Sequence, residues 1–374
     1  MEDVLEGPTR LRVPAHNSGK GDRTPGERAA GSPFYNPGMA LNRDLAVLLV
    51  AHEARGRPRG LDVADALAGT GARSVRLASE CGPGVRVHAN DAMPAAVAAL
   101  RANAQAAGVA AHVAVHEGDA HAFLAARRFD VVDLDPCGSP MPFLDAAMRA
   151  TRHHGLLLVT ATDTGALAGT FPAALRRRYD ARHHLHAWPW RSEVGLRVLA
   201  GAIVRSAARF ERAARPVLGV AWGHWMRVVV RVTDGKGRAD AALDALGEAW
   251  ADERGHGVVG RRAPAGMPSA GPLWTGPLHD AATAAALEAE ARKRPLARPQ
   301  ELGRLLTVLA EEAPAPPFFL DPDHHQRAFG NPPRRDDLVE RLQALGRTAT
   351  RAHLDPKGVR TDATLEDLRT AWRA

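Results

Sequence analysis

The chain has 374 residues, 45% of them hydrophobic, and 49 lysines and arginines against 42 acids leave a formal charge of +7. That length is enough for two domains and a large core. No apolar run reaches membrane-spanning length and the polar start has no secretory hydrophobic stretch, so the sequence reads as a soluble, cytoplasmic protein.

Two cysteines, Cys81 and Cys137, permit neither a disulfide framework nor a tetrahedral cysteine site for zinc. The 17 histidines are scattered or paired, as in His153-His154 and His183-His184, and read as structural or solvated. A pI of about 10.1, carried mostly by arginine, fits a polyanionic partner such as nucleic acid; an arginine-rich proteome is the alternative.

Elements alternate from residue 60 to residue 160. Gly60–Leu67 reads as a strand closed by the small-residue turn Ala68–Ala72, and Ser74–Cys81 as the helix that follows. Val85–Asn90 is a strand ending at Asp91, and Pro94–Ala107 an alanine-rich helix. Ala111–His116 is a strand ended by Glu117-Gly118-Asp119. Phe129–Leu134 comes next, then a helix over Pro142–Ala150 and a strand over Gly155–Thr160. Strands with intervening helices at this spacing specify a doubly wound parallel α/β sheet.

Farther along, Ala173–Tyr179 and Leu196–Ala214 read as helices and Met226–Val232 as a β-rich run. The turn Asp234–Arg238 then marks the boundary between residues 1–233 and 234–374. The second part reads as smaller and mainly helical. It has helices near Asp240–Glu253, Leu278–Lys293, Pro299–Glu312, Arg335–Leu345 and Leu365–Trp372, and a Gly/Pro/Arg loop running to about Ala270.

Chemistry-bearing residues collect where open α/β sheets put ligands, at the carboxyl ends of the strands. The turn Gly69-Thr70-Gly71 lets backbone approach a ligand and exposes helix N–H groups, but it lacks the full dinucleotide fingerprint and is as readily a tight connection. Asp91 can accept from both ribose hydroxyls of a nucleoside cofactor or brace the following helix. Asp119 can accept from an adenine amino group, with Gly118 and Ala120 leaving room for the ring.

At the end of Phe129–Leu134, Pro136 cannot donate a ladder hydrogen bond, so the chain leaves the sheet beside the Asp135 carboxylate. An acid-Pro-aromatic tetrad at such a strand end is a signature of methyltransferases acting on nucleobase amines, and Cys137 stands in the aromatic's place. A carboxylate there can hold an exocyclic N–H and align the nitrogen lone pair with a sulfonium methyl; the alternative is a simple Asp-Pro turn.

Ahead of the sheet, Phe34 and Tyr35 sit in a Pro-bounded loop within residues 31–45. They could sandwich an extruded base or plug an apolar edge. Arg43 and Arg73 can each grip a carboxylate bidentately or form internal ion pairs. Arg205, Arg209, Arg212 and Arg215 recur at helical spacing. With Arg176, Arg177 and Arg178 they form either a phosphate-binding strip or a solvated face.

These residues resemble the tRNA guanine-26 N2-dimethyltransferase family of archaea and eukaryotes. Phe-Tyr-Asn-Pro-x-Met-x-x-Asn-Arg-Asp-Leu runs from Phe34 to Leu45. Asp-Leu-Asp-Pro-x-Gly-Ser-Pro runs from Asp133 to Pro140, Gly-Pro-Leu-Trp-x-Gly-Pro-Leu from Gly271 to Leu278, and a threonine-histidine tail from Thr350 to Ala363. The resemblance covers about Leu5 to Trp372.

It implies a class I S-adenosylmethionine-dependent methyltransferase domain with a Rossmann-like doubly wound sheet, followed by a mainly helical α+β domain that helps hold tRNA. It also implies methyl-donor contacts at Arg43, Arg73, Asp91, Asp119 and Ala120, with Asp135 aligning the amine. Phe34, Tyr35, Pro136 and Cys137 are then the candidates for the target base, and Phe143 is a further aromatic that could stand in for the one Cys137 replaces. Many relatives carry two Cys-x-x-Cys pairs before the Gly-Pro-Leu-Trp motif. Residues 233–270 contain no cysteine, so no metal is expected. No membrane and no obligate protein partner is expected either. The competing readings are another RNA or DNA amino-methyltransferase and a non-catalytic tRNA-binding protein.

Overall fold

The computed structural model describes residues 1–15, 31–55, 57, 59–185, 188–252 and 256–373. The chain forms two compact units. The first comprises residues 1–161, 230–233 and 286–303, and the second comprises 162–229, 234–285 and 304–374.

The first unit opens on an antiparallel hairpin, β1 (Glu2–Glu6) and β2 (Thr9–Val13), which the sequence reading did not include. A 3-10 turn at Pro37–Met39 leads into α1 (Ala40–Ala54), whose residues 40–51 are all buried, Asn42, Arg43 and Asp44 among them. Buried polar groups on one helix need partners from elsewhere in the fold.

The sheet follows: β3 (Leu61–Asp65), α2 (Ala72–Glu80), β4 (Val85–Asp91), α3 (Pro94–Ala106), β5 (Val113–Glu117), α4 (Ala120–Ala126), β6 (Phe129–Leu134), α5 (Met141–Ala150) and β7 (Thr151–Ala161). These strands lie parallel in the order β5-β4-β3-β6-β7. Every residue of β3 is buried, as expected of a parallel strand covered on both faces. In register, Asp65 pairs with Asp133 and Asp91 with Glu117. The strand order reverses between β3 and β6, so the crevice at that switch point opens at the carboxyl ends that carry the predicted acids.

In the second unit the elements are α6 (Thr164–Leu167), α7 (Pro172–Tyr179), β8 (Arg182–His183), α8 (Arg191–Ala208), β9 (Arg212–Trp222) and β10 (Trp225–Asp234), the last crossing into the first unit at residues 230–233. Next come α9 (Lys236–Asp244), β11 (Leu246–Ala251), β12 (Gly257–Gly260) and β13 (Ser269–Trp274). α10 (Ala281–Ala291) and α11 (Pro299–Glu312) lend residues 286–303 to the first unit. α12 (Gln326–Phe329), α13 (Arg335–Ala344), β14 (Ala349–Arg351), β15 (Val359–Thr361) and α14 (Leu365–Arg373) complete the chain.

Three expectations are corrected. The helix expected over 196–214 starts earlier, at Arg191, and stops at Ala208; Glu211 takes a left-handed φ of 55° and the chain turns into β9. Arg212 and Arg215 therefore lie on a strand, and the four arginines do not share a helical face. The helix expected over 240–253 is instead α9 followed by β11, and its predicted end at Glu253 lies outside the described residues. The stretch expected to be loop up to Ala270 contributes β12 and the start of β13 to a sheet ordered β12-β11-β13-β8. The second unit is thus less helical than its composition suggests, because alanine propensity is overridden by strand pairing. Among the described residues no helix is long and apolar enough to cross a membrane.

Candidate active site

The site is assembled around one guanidinium. Arg73, in the first turn of α2, is buried and reaches back under the sheet end. Its Nη1 donates to Asp133 Oδ2 at 3.1 Å, and its Nη2 donates to Asn42 Oδ1 at 2.9 Å and to Asp135 Oδ2. Helix α1, helix α2 and the end of β6 therefore meet at a single side chain. Asp133 is buried on β6, whereas the Asp135 side chain keeps 14% exposure at the rim.

Beside them Asp65, fully enclosed at the end of β3, accepts from Ser74 Oγ at 2.6 Å. Burial pushes its carboxyl up to about 6, with the charges of Asp133 and Asp135 adding to the rise and Arg73 opposing it. Three acids around one arginine leave this cluster at the strand ends with a surplus of negative charge, which favours a cation nearby.

The glycine turn is built for close approach. Gly71 has φ of 77°, and a Cβ there would overlap the Leu100 side chain; a Cβ on Gly69 would press on the Phe34 carbonyl. Gly71, as N-cap of α2, offers no side-chain cap, so the helix amino terminus remains available to a ligand. Asp91 braces this turn: Oδ2 accepts from Gly69 N at 2.8 Å and Oδ1 from Met93 N at 2.9 Å. A carboxylate has about four lone-pair directions, so Asp91 can hold the turn and still accept from hydroxyls. Asp119 caps α4 by accepting from His121 N at 2.9 Å and Ala122 N at 3.1 Å. Its side chain is 65% exposed, and Ala120 beside it is buried.

The aromatic loop divides into two roles. Phe34 is exposed, and its carbonyl accepts from Thr70 N at 3.1 Å, which pins the loop to the glycine turn. Tyr35 points inward. Its hydroxyl donates to Glu6 Oε1 at 2.6 Å, and the Arg43 guanidinium lies 5.1 Å from its ring centroid.

Arg43 is committed to the same carboxylate through Nε, at 2.8 Å, and Nη2. Arg76 Nη1 approaches Glu6 at 3.3 Å. Burial alone would raise the Glu6 carboxyl, but Arg43, Tyr35 and Arg76 hold it below its ordinary value. In this structure, then, Arg43 and Arg73 both make the internal ion pairs that were the alternative to a ligand contact.

Past Asp135, Pro136 is buried and Cys137 exposed, and Gly138 turns the chain with φ of 92°. Phe143 faces His121, ring centroids 5.0 Å apart.

Glu6, Asn42 and Asp133 escaped the sequence reading as site residues. Asn42 and Asp133 lie inside the quoted motifs and could have been found there. Glu6 carries no local signal, since Arg43 is brought to it only by the fold.

One cluster of metal-ligating types occurs among the described residues: His279, Glu312 and His353, in the second unit. Glu312 is already saturated, accepting from His353 N at 3.1 Å, His353 Nδ1 and Arg360 Nε at 2.9 Å, with His279 Nε2 3.0 Å away. Burial raises the Glu312 carboxyl, but His353, Arg360 and His279 together hold it well below its usual range. A guanidinium on the same carboxylate opposes a bound cation, so the cluster reads as a clamp tying the Thr350 segment to α11.

A parallel sheet in this order, a glycine turn after its first strand and acids at successive strand ends define an α/β fold of the class I methyltransferase type. Comparison with known proteins resolves the class further. A model of the N2,N2-dimethylguanosine tRNA methyltransferase family matches residues 24–373, and the chain belongs to that family.

The tRNA (guanine(26)-N(2))-dimethyltransferase of Thermococcus kodakarensis is 38% identical over 379 residues, covering 96% of each chain. That of Methanosphaerula palustris is 35% identical over 386 residues, covering 100% of this chain and 99% of its own. The solved structure of Trm1 from Pyrococcus horikoshii with S-adenosyl-L-methionine matches with a TM-score of 0.83 at 31% identity, covering 99% of both chains.

Proposed function

We propose that the protein methylates the N2 amine of guanine 26 in tRNA, twice, with S-adenosylmethionine as donor, in the cytoplasm. The observation that carries this is the Asp135 carboxylate, held at the strand end by Arg73, which Asn42 in turn braces, within a cluster of surplus negative charge. The donor fits what the pocket offers: an uncapped helix amino terminus, a carboxylate at Asp91 with lone pairs to spare, and acids that favour a cation. Arg43, Arg73, Asp91, Asp119 and Ala120 would hold it, with Arg43 or Arg73 exchanging an internal carboxylate for that of the ligand.

S-adenosylmethionine supplies an electrophilic methyl on a sulfonium. Asp135 accepts one N2–H of the guanine, which turns the nitrogen lone pair toward that methyl. As the N–C bond forms and the S–C bond breaks, the nitrogen becomes cationic and releases its proton toward Asp135 or water. A cation and a neutral amine react without creating net charge, so positioning and water exclusion dominate. Rotation about C2–N2 presents the remaining hydrogen for a second transfer.

Phe34 is the exposed aromatic available to the base, with Pro136 and Cys137 along its edge and Tyr35 backing the loop. In the division at residue 233, the part after it helps hold the tRNA. In the second unit a groove of about 810 Å³ lined by Arg176, Arg182 and Arg261, with Glu248 paired to Arg182 at 2.6 Å, suits a phosphate backbone. No metal takes part in this scheme.

Mass spectrometry of nucleosides from tRNA treated with the purified protein, mapped to the nucleotide, tests the reading. Dimethylguanosine at position 26 is the expected product. Label on adenine or cytosine would transfer the protein to another amino-methyltransferase class, and no label at all would favour a non-catalytic tRNA binder.

A further inference from the structure

The second unit carries an exposed aromatic that the methyl-transfer scheme does not use. Phe171, just ahead of α7, is 61% exposed. It lines a groove of about 700 Å³ together with Asp163, Gly165, Arg177 and Arg178, all within residues 162–178 of that unit. A lone surface aromatic is ordinary; this one differs in how it is held and in the charges beside it.

The backbone around Phe171 is fixed. Its N–H and that of Thr170 both donate to the Gly165 carbonyl, at 3.2 and 2.9 Å, and its own carbonyl accepts from Ala174 N and Leu175 N at 3.0 Å. Behind it, Leu175 and Tyr179 anchor α7 and are fully buried. A Cβ on Gly165 would fall 2.7 Å from Phe171 Cε2 and 3.0 Å from Cδ2, so that edge of the ring rests on bare backbone. Among the described residues no other ring stacks on it, and the exposure leaves a π face open to solvent.

The charges are unbalanced in favour of cations. Asp163, the acid in the lining, is already spent: it accepts from the Tyr179 hydroxyl at 2.6 Å and from Arg178 Nη1 at 2.9 Å. Arg176 and Arg177 are exposed on α7, and neither forms an ion pair among the described residues. Arg176 lines the neighbouring groove, which shares Pro172 and Ala173 with this one. An open π face next to uncommitted guanidiniums is the combination that takes an unpaired nucleotide, its base on the ring and its phosphate on the cation.

We propose that Phe171 is a stacking platform for an unpaired base of bound tRNA, with Arg177 meeting the adjoining phosphate. The proposal rests on the reading of the protein as a tRNA-modifying enzyme. Stacking on one ring is sequence-tolerant, so the site adds affinity and register without choosing a base.

The test measures binding of unmodified tRNA to the full-length protein by fluorescence anisotropy over a range of salt, alongside methyl-transfer kinetics. Phe171→Ala should weaken binding roughly 5- to 100-fold and raise the KM for tRNA in step, while Phe171→Trp stays within about threefold of wild type. The KM for S-adenosylmethionine should not move. Phe171→Ala should leave the salt slope unchanged, whereas Arg177→Ala should make it shallower by about 0.7 to 0.9. Among tRNAs carrying a single abasic residue at each unpaired position, one should lose as much affinity as Phe171→Ala costs and show no further loss with that variant.

Additive losses at every position, or Phe171→Ala binding within about twofold of wild type, would overturn the proposal. Should Phe171→Ala fail to fold, Phe171→Leu, which keeps an apolar side chain without a π face, decides it through the same abasic series. A wild type that shows the coupling yet puts no methyl on guanine N2 would sink the assigned reaction and leave the stacking platform standing. Methyl transfer without coupling would do the reverse.

Discussion

Asp135 owes its position to Arg73, whose guanidinium spans both strand-end acids and Asn42. Replacing it as Asp135→Asn keeps the shape but removes an anionic acceptor. Methyl transfer should fall about 10²- to 10⁴-fold in single-turnover assays, with the affinity for S-adenosylmethionine, followed by calorimetry, changed only a few-fold. Loss of cofactor binding equal to the loss of rate would make Asp135 a cofactor ligand instead.

Asp65 gives a pH signature. Its folded value of about 6 lies above the ordinary 3.8, so the native state holds the proton more tightly than the unfolded chain. Its contribution to stability is fully present below about pH 3.8 and is lost as pH rises through 6. Asp65→Asn abolishes that loss. The unfolding free energy of the variant relative to wild type should therefore climb by on the order of 3 kcal/mol between pH 4 and pH 7, read from urea melts. A difference that is flat across this range would contradict the burial of an ionisable Asp65.

At the scale of elements, the link between β3 and α2 is the glycine turn whose helix amino terminus is proposed to meet the methyl donor. Gly71→Ala puts a Cβ into the Leu100 side chain at a left-handed φ. A destabilisation of about 1 to 3 kcal/mol is expected, with cofactor affinity falling more than tRNA affinity because the N-terminus of α2 shifts. Equal falls in the two affinities would show the damage to be general.

Elements also show where sequence patterns sufficed. Phe129–Leu134 is the same strand in sequence and structure, because an apolar run bounded by Pro136 admits little else. The arginine run beyond Ala208 misled, because its spacings of four, three and three fit a helical face. The left-handed turn at Glu211 that ends the helix carries no strong sequence mark and leaves Arg212 and Arg215 on opposite faces of β9. In α9 and β11 the alanines point to helix, yet Ala249 is buried in a strand paired on both sides.

For the whole molecule, the charge of +7 bears on the partner more than on the fold. Binding of tRNA should weaken steeply with salt, and each phosphate contact should contribute about −0.7 to −0.9 to the log-log slope. Arg176→Glu and Arg261→Glu should each make the slope shallower by about that amount in anisotropy titrations. An unchanged slope in both variants would remove the groove from the tRNA path.

By itself the sequence determined the alternating sheet, the acids at its strand ends, the Asp135-Pro136 exit and the family. Each of these is written in local pattern: the period of apolar residues, the missing N–H of proline, motifs of adjacent residues. Tertiary structure alone decided which charges neutralise one another. Glu6 takes Arg43 and Tyr35, Arg73 takes Asp135, and the Asp44 carboxylate accepts from Ala297 N at 3.1 Å and Arg298 N at 2.7 Å, more than 250 residues along the chain. Buried charges must find partners wherever the fold brings them, and the strength of an ion pair depends on distance in space and not on separation in sequence.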